Sequence, residues 1–519
     1  MKKALFFFLS LVVCITLCTV LAACNGAPQN TEEPTEAPTE FVCTDHVYKD
    51  WYTDTYPTCT ADGLKKAECM FCDNYKTEVI PMTHDLTTHP AKEPTCSEIG
   101  WNEYQTCYNC DYTTYEELPK DHKTDENGAC AFCGYTIIKT ADDLKKVGLE
   151  GKYLLTDDIN LLGAEWTPIG TKDAPFIGEF NGNGHVIKNY KITAYHEYLG
   201  FFGVISEYAK LEGFGVEEFN VDVSGTSQII MAGGLVGFTT GESITIKNCH
   251  ASGEMKVVTT CNNTSTDYNG ACYVGGLIGY TEGSASVYYC YSDVKMSANA
   301  DKYAALHIGG LAGYYYDWRI AECYSSSVVS ATTTDTVIYI GGLLGSTAGA
   351  QQNKIQNCYT TGSVYAHSKD GYIHAGGIVG NGSALWCYST CAVNASSENG
   401  DVHAGGIVGY TGTFISVSNC LSTGKVISSG YAGGASGMKE FTPGNDGYIS
   451  TCYYIEPNAD HIQGDKCETT GKKATVEEIK TEEFFTSAGS LQFDKAVWSF
   501  TDGELPTLKC FASTDTDAE

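Results

Sequence analysis

Two glycines, two further residues and a third glycine form a phrase that returns seven times: at 233–237, 275–279, 309–313, 341–345, 376–380, 405–409 and 433–437. A second phrase, of the form Cys-Tyr-x-x-Gly-x-Val, runs between these copies. Its cysteines are Cys249, Cys290, Cys323, Cys358, Cys387, Cys420 and Cys452, at steps of 41, 33, 35, 29, 33 and 32 residues. A repeat this short cannot bury an apolar face alone, so the copies must stack as the coils of a solenoid. Each coil is expected to give three short strands: one after the Cys, one at the Gly-Gly phrase and one leading to the next Cys. Stacking each strand on its counterpart pairs the backbone edges and makes a continuous core. The paired glycines mark a corner where a Cβ would clash. Stacked parallel strands lie about 4.8 Å apart, whereas a disulfide brings Cβ atoms to about 3.8 Å. The cysteine ladder is therefore expected to be buried thiols packing as small hydrophobes. Cys261 with Cys272, and Cys467 with Cys510, are the pairs that could bond.

Charge narrows the function. There are 63 acidic and 32 basic residues, a net charge of -31, and one arginine, Arg319. A chain that must neutralise phosphates needs basic patches, so nucleic acid is not an expected partner. Such a surface repels itself and stays soluble.

The first residues are a targeting segment: Lys2 and Lys3, then an apolar run over 4–20, then Leu21-Ala22-Ala23-Cys24. This ending resembles a bacterial lipobox. The resemblance implies that Cys24 is lipidated and that the chain is held to the extracytoplasmic face of a cell membrane. The alternatives are a simple cleaved peptide and an uncleaved anchor. Residues 24–42 are rich in Pro, Thr and Glu and read as an extended tether. No later apolar run is long enough to span a bilayer.

Residues 43–136 are cysteine-rich. Two stretches are copies, one giving Cys59, Cys69, Cys72 and His84, the other Cys96, Cys107, Cys110 and His122. A Cys-x2-Cys turn aims two thiolates at one ion, and one more Cys and a His complete a tetrahedron. The remaining Cys43, His46, Cys130 and Cys133 also sum to four, so twelve ligands would make three structural zinc sites. Each His also precedes the next cysteine cluster, which leaves its site open. Disulfides are the alternative in an exported protein, but nine cysteines cannot all pair, and disulfides do not need histidines at a matched offset. The stretch resembles the ribbon-like Cys/His repeats of exported clostridia-like proteins. Four protein ligands leave no open position for water, so zinc here would be structural.

Ahead of the repeats, residues 140–170 open with a helical Asp-Asp-Leu-Lys-Lys turn and continue as short strands. Asn181-Gly182-Asn183-Gly184 then marks a tight turn between strands. These phrases and the Gly-Gly units resemble the GLUG-motif proteins, a family that includes repeats attached to bacterial IgA-specific metallo-endopeptidases. The resemblance runs from about 137 to 509. It implies a right-handed parallel β-helix. The fold class is thus all-β, a parallel solenoid preceded by small zinc-ribbon-like modules. The expected divisions are a signal peptide (1–23), a tether (24–42), ribbons (43–136), the β-helix (137–460) and a C-terminal cap and tail (461–519). Thr475 ahead of Glu477 and Glu478 starts a helix in that cap.

The endopeptidases carry H-E-x-x-H. Here His196-Glu197-Tyr198-Leu199-Gly200 lacks the second histidine, so no peptidase is expected. Carbohydrate-active β-helix enzymes need clustered carboxylates. The acidic pairs Asp157-Asp158 and Glu217-Glu218 lie before the repeats. The reading is a lipid-anchored surface protein without catalytic residues, whose wall of Ser, Thr, Asn and Tyr meets a glycan or a cell-surface protein. A polysaccharide lyase or glycosidase is the alternative.

Overall fold

The computed structural model describes residues 43–512 apart from 227–228, 261–270, 302–304, 318, 348–354, 412–415, 440–447, 456–461, 464–465 and 469–470. Cys24, the tether and Cys261 fall outside the described residues, as does the side chain of Cys467. The chain divides into two compact units. One runs to Lys92 and includes Trp101–Glu116; the other comprises Glu93–Gly100 and Glu117–Glu519.

The first unit is built from antiparallel ribbons. Tyr52–Thr55, Gly63–Glu68 and Tyr75–Ile80 form a three-stranded sheet, and Leu86–His89 pairs with Tyr104–Cys107. Its buried apolar residues, among those described, are Ala67, Cys69 and Cys107, while Tyr56 and Tyr108 are 77% and 85% exposed. A core of this size cannot offset the entropy of ordering the chain. Something other than hydrophobic burial must hold the ribbons.

The second unit is the parallel β-solenoid, all-β but for short helical turns. One wall is a nine-stranded parallel sheet whose strands end at the Gly-Gly phrase, as in Cys272–Gly275, Leu306–Gly309 and Ile338–Gly341. A second run of strands starts just past that phrase and leads to the cysteine. A third wall follows the cysteine. Like stacks on like: Val223, Val257, Ala298, Ala331, Ala366 and Ala395 lie in one register down the third wall. The core is continuous from Ile138 to Cys452.

Two corners shape each coil. At the Gly-Gly corner the coils touch backbone to backbone, and a Cβ on Gly310 would lie 1.9 Å from the carbonyl oxygen of Gly342. The glycines are there for this close approach. At the other corner the residue before each cysteine is left-handed: Asn248, Tyr289, Glu322, Asn357, Trp386, Asn419 and Thr451 have φ between 50° and 56°. Asn tolerates that conformation and the other types less so. This corner was not signalled by glycine and went unread in the sequence. Asn181–Gly184 is likewise a corner between two walls, since Glu179–Asn181 and Val186–Lys188 each pair in parallel with strands of other coils.

The seven ladder cysteines are at most 1% exposed. Each thiol donates to the carbonyl two residues back, at 3.2 Å for Lys247 and 3.1 Å for Tyr288 and Gln356. Burial pushes the Cys249, Cys323 and Cys420 thiols well above their ordinary range. All seven are free thiols packed in the core, not disulfides, as the strand spacing required.

The C-terminal segment departs from expectation. The cap read from the sequence over 461–519 does not sit only over the last coil: its described part from 475 to 512 folds back along the solenoid's flank. Trp498, Phe485, Phe493 and Leu508 pack with Tyr388 and Leu421, and Phe511 reaches Tyr291 and Tyr324. The tyrosine hydroxyl of Tyr388 donates to the carbonyl of Pro506 (2.8 Å). The reason is the Cys-Tyr phrase. The residue after each cysteine points outward, and His250, Tyr291, Tyr324, Tyr359 and Tyr388 stack at 4.6–5.0 Å within 6° of parallel. That outward-facing aromatic column gives the C-terminal segment an apolar surface to cover. The expected helix is correspondingly short, a 3-10 turn at Glu478–Lys480 and an α-helix at Glu482–Thr486.

Candidate metal centres

Three strand pairings recur with the same offset. Tyr48 bridges Cys69, Leu86 pairs with Cys107, and Thr124 bridges Cys130. In each, the first partner lies two residues after a histidine and the second is the first cysteine of a Cys-x2-Cys knuckle. The pairing therefore carries His46, His84 and His122 to the knuckles 69/72, 107/110 and 130/133. A fourth ligand comes from Cys43, Cys59 and Cys96 respectively. The resulting groups are Cys43-His46-Cys69-Cys72, Cys59-His84-Cys107-Cys110 and Cys96-His122-Cys130-Cys133, with the ligand atoms of each within 4.8 Å of one another.

These are the twelve residues singled out in the sequence, in a different grouping. Cys59 and His84 do not join Cys69 and Cys72 of their own copy. Cys96 and His122 do not join Cys107 and Cys110, and Cys43 and His46 do not meet Cys130 and Cys133. The sequence copy and the folded site are offset by one knuckle, because each histidine follows its own hairpin and sits at the start of the next. The matched His offset was the signal that could have shown this.

The distances suit a tetrahedral ion. Zinc–sulfur and zinc–nitrogen bonds of about 2.3 and 2.0 Å imply ligand separations of about 3.8 Å between sulfurs and about 3.5 Å from sulfur to nitrogen. Cys43 and Cys69 Sγ are 3.8 Å apart, and Cys59 and Cys107 Sγ 3.3 Å. The Nδ1 atoms of His46, His84 and His122 lie 3.3, 3.4 and 3.6 Å from the second knuckle sulfur. A disulfide would hold its sulfurs at about 2.05 Å. The groups can hold a metal ion, and their Cys3His chemistry fits zinc.

Electrostatics favours thiolate at each knuckle. The backbone N–H of Phe71 holds Cys69 down to about 6, against its burial. Burial raises Cys107 and Cys130, but the backbone N–H groups of Asn109 and of Cys133 and Phe132, with neighbouring side chains, outweigh it and leave both at about 6. Cys59 is pushed to about 12 by its contact with the Cys107 sulfur, so without a cation only part of each cluster ionises. Outer contacts fix the rings: Asn74 Nδ2 lies 3.1 Å from His46 Nε2, and His84 stacks on Tyr112 at 4.3 Å.

The third group belongs to the solenoid's own unit. Cys130 is 1% exposed and packs with Ile137 and Leu154 of the first coil, against Cys96, Cys133 and Tyr135. These two residues lie in Thr136–Ile138 and Lys152–Leu155, which pair in parallel.

Away from the metal groups, the acidic pairs have structural partners. Glu217 accepts from Lys188 (2.8 Å) and faces His250 (3.0 Å), and these lower it despite partial burial. Asp158 accepts from the N–H of Val186 and faces His185 Nδ1, both at 3.1 Å. The sequence also holds the run Tyr314-Tyr315-Tyr316, of which Tyr315 is buried and Tyr316 is 49% exposed; Trp318, just beyond it, lies outside the described residues. On the third wall, Asn299, Thr332, His367 and Ser396 stand in one register. His367 Nδ1 is 3.0 Å from Ser396 Oγ.

Comparison with known proteins identifies the repeat. The GLUG motif matches residues 270–296, which hold one Gly-Gly corner and the following Cys-Tyr phrase. A solved structure described as IgA1 Protease is similar to this chain at 14% identity and a TM-score of 0.35, covering 89% of this chain and 31% of that one. The chain thus spans about a third of that neighbour's length. No curated protein matches the chain.

Proposed function

We propose that this GLUG-repeat β-solenoid is a lipid-anchored protein of the bacterial cell surface. Cys24 carries the lipid, residues 24–42 stand the protein off the membrane, and zinc holds the ribbons. The solenoid presents its side wall to a glycan or a cell-surface protein and does no chemistry. The observation that carries this reading is the third wall's outward file of Asn299, Thr332, His367 and Ser396, polar side chains repeated in register. Repeated shallow contacts bind weakly one at a time and strongly together. The test is an array of glycans and cell-surface proteins probed with the full chain. Selective retention that weakens on substituting several wall residues together supports display. Cleavage of a glycan, abolished by one carboxylate substitution, would replace display with catalysis. Cys24→Ala should leave the precursor unprocessed by the lipoprotein peptidase, and normal maturation with membrane retention of that variant would contradict the anchor; metal analysis should find up to three zinc ions per chain.

A further inference from the structure

The ends of three consecutive third-wall strands line a cavity of about 210 Å³ that is open to solvent. Its lining is Val258 and Thr259 from one coil, Asn299, Ala300 and Asp301 from the next, and Thr332, Thr333 and Thr334 from the third. Thr333 is 8% exposed and its Oγ1 has no hydrogen-bond partner. The next two coils show what that hydroxyl does elsewhere. Ser368 is the register partner of Thr333, and Ser397 that of Ser368. Ser368 Oγ accepts from the N–H of Gly371 at 2.8 Å, and Ser397 Oγ from the N–H of Gly400 at 3.0 Å. Each closes its own turn. At Thr333 the turn continues Thr334-Asp335-Thr336, with no glycine three residues on, and the hydroxyl is left without a partner. A buried hydroxyl without one costs about 1–3 kcal/mol. The coil below has Ala300 at the same register, which removes a side chain and leaves the space.

We propose that this cavity is a binding site for one uncharged pyranose residue of a glycan. The inference rests on the surface-display reading and gives it a ligand class. The Thr332 hydroxyl already donates to the side-chain oxygen of Asn299, so the Thr333 hydroxyl is the unpartnered one in the lining, and a hydroxyl both donates and accepts, as sugar hydroxyls do. A cavity of about 150 Å³ holds a six-membered ring such as benzene, so this one has room for a ring with substituents. The single charged group in the lining is Asp301, which repels uronates and sialic acids. One carboxylate among neutral oxygens is too little charge for a calcium site, and the space far exceeds an ion.

The test uses the full chain and saturation-transfer NMR with methyl glycosides of glucose, galactose and N-acetylglucosamine, methyl glucuronide and calcium chloride as controls. At least one neutral glycoside should bind and the glucuronide should not. Thr333→Val keeps the shape and loses no internal hydrogen bond, so it should fold as stably as the wild type while binding about five- to tenfold more weakly. Thr333→Ser, which keeps the hydroxyl, should retain binding even if the valine variant fails to fold. Asp301→Asn should admit the glucuronide. No binding of any neutral glycoside overturns the site, as does calcium binding that excludes them. Equal binding by wild type and Thr333→Val overturns the site but leaves the display reading standing, since the glycan would then be held elsewhere on the wall.

Discussion

Removing one knuckle cysteine from the third metal group should open the first coil of the solenoid, whereas the same change in the first group should not. Cys130→Ser and Cys69→Ser each delete one of four ligands and one ion. For a small module, the energy of the metal site is its folding energy. Loss at Cys130 also strips the cover from Ile137 and Leu154, which are 6% and 9% exposed in the intact protein. Each buried side chain of this kind contributes about 1.5–3 kcal/mol, so about 3–6 kcal/mol of local stability goes with the pair. Coils of a solenoid answer to their neighbours alone, so the loss should stay near Thr136–Leu155. Hydrogen exchange read by mass spectrometry gives the assay. Peptides covering 136–155 should lose two or more decades of protection in Cys130→Ser, or in wild type with a chelator, and stay protected in Cys69→Ser. Unchanged protection over 136–155 after full metal removal would refute the reasoning.

Gly310→Ala should cost about 3 kcal/mol or more, because its Cβ meets the backbone carbonyl of Gly342 and Ser325 Oγ. Gly489→Ala, with open space around it, should be near neutral in the same urea titration. Trp498→Ala should remove about 3–5 kcal/mol from the flank segment, seen as early proteolysis within 475–512 while the solenoid core resists. Glu217 is held below the usual carboxylate range by Lys188 and His250, so its contribution is present above the unfolded pKa of about 4.3 and is lost as pH falls through the lower folded value. Glu217→Gln should therefore cost about 1 kcal/mol or less at pH 7 and flatten the acid limb of the stability curve.

What was legible in the chain follows from which contacts are local. The Gly-Gly phrase and the cysteine steps announced the stack, because a coil meets mainly the next copy of itself. Period alone then fixed the register that puts Val257 on Ala298. The twelve ligands were legible by type and spacing. Their grouping was not, because it depends on strand pairing: His84 belongs with Cys107 through the partnership of Leu86 and Cys107. The path of the C-terminal segment was also illegible, since Pro506 meets Tyr388 across 118 residues and nothing periodic ties them. The left-handed residue before each cysteine escaped notice because Tyr289, Glu322, Trp386 and Thr451 are not the residue types that usually mark that conformation.

The offset between sequence copy and metal group has a consequence for anyone who cuts or recombines this protein. The piece that was duplicated is not the piece that folds. A boundary drawn between the two copies, after His84 and before Cys96, would strand Cys59 and His84 without their knuckle at Cys107 and Cys110. A fragment that starts at 137 would begin with Ile137 and Leu154 uncovered and Cys130 missing. The smallest self-sufficient solenoid must start at Glu93 or earlier, and it must keep Trp101–Glu116 as an insertion whose own knuckle then lacks two ligands. Because Cys59 lies between His46 and Cys69, and Cys96 between His84 and Cys107, the groups interlock along the chain, and no ribbon can be removed, from the end or from the middle, without taking a ligand from its neighbour.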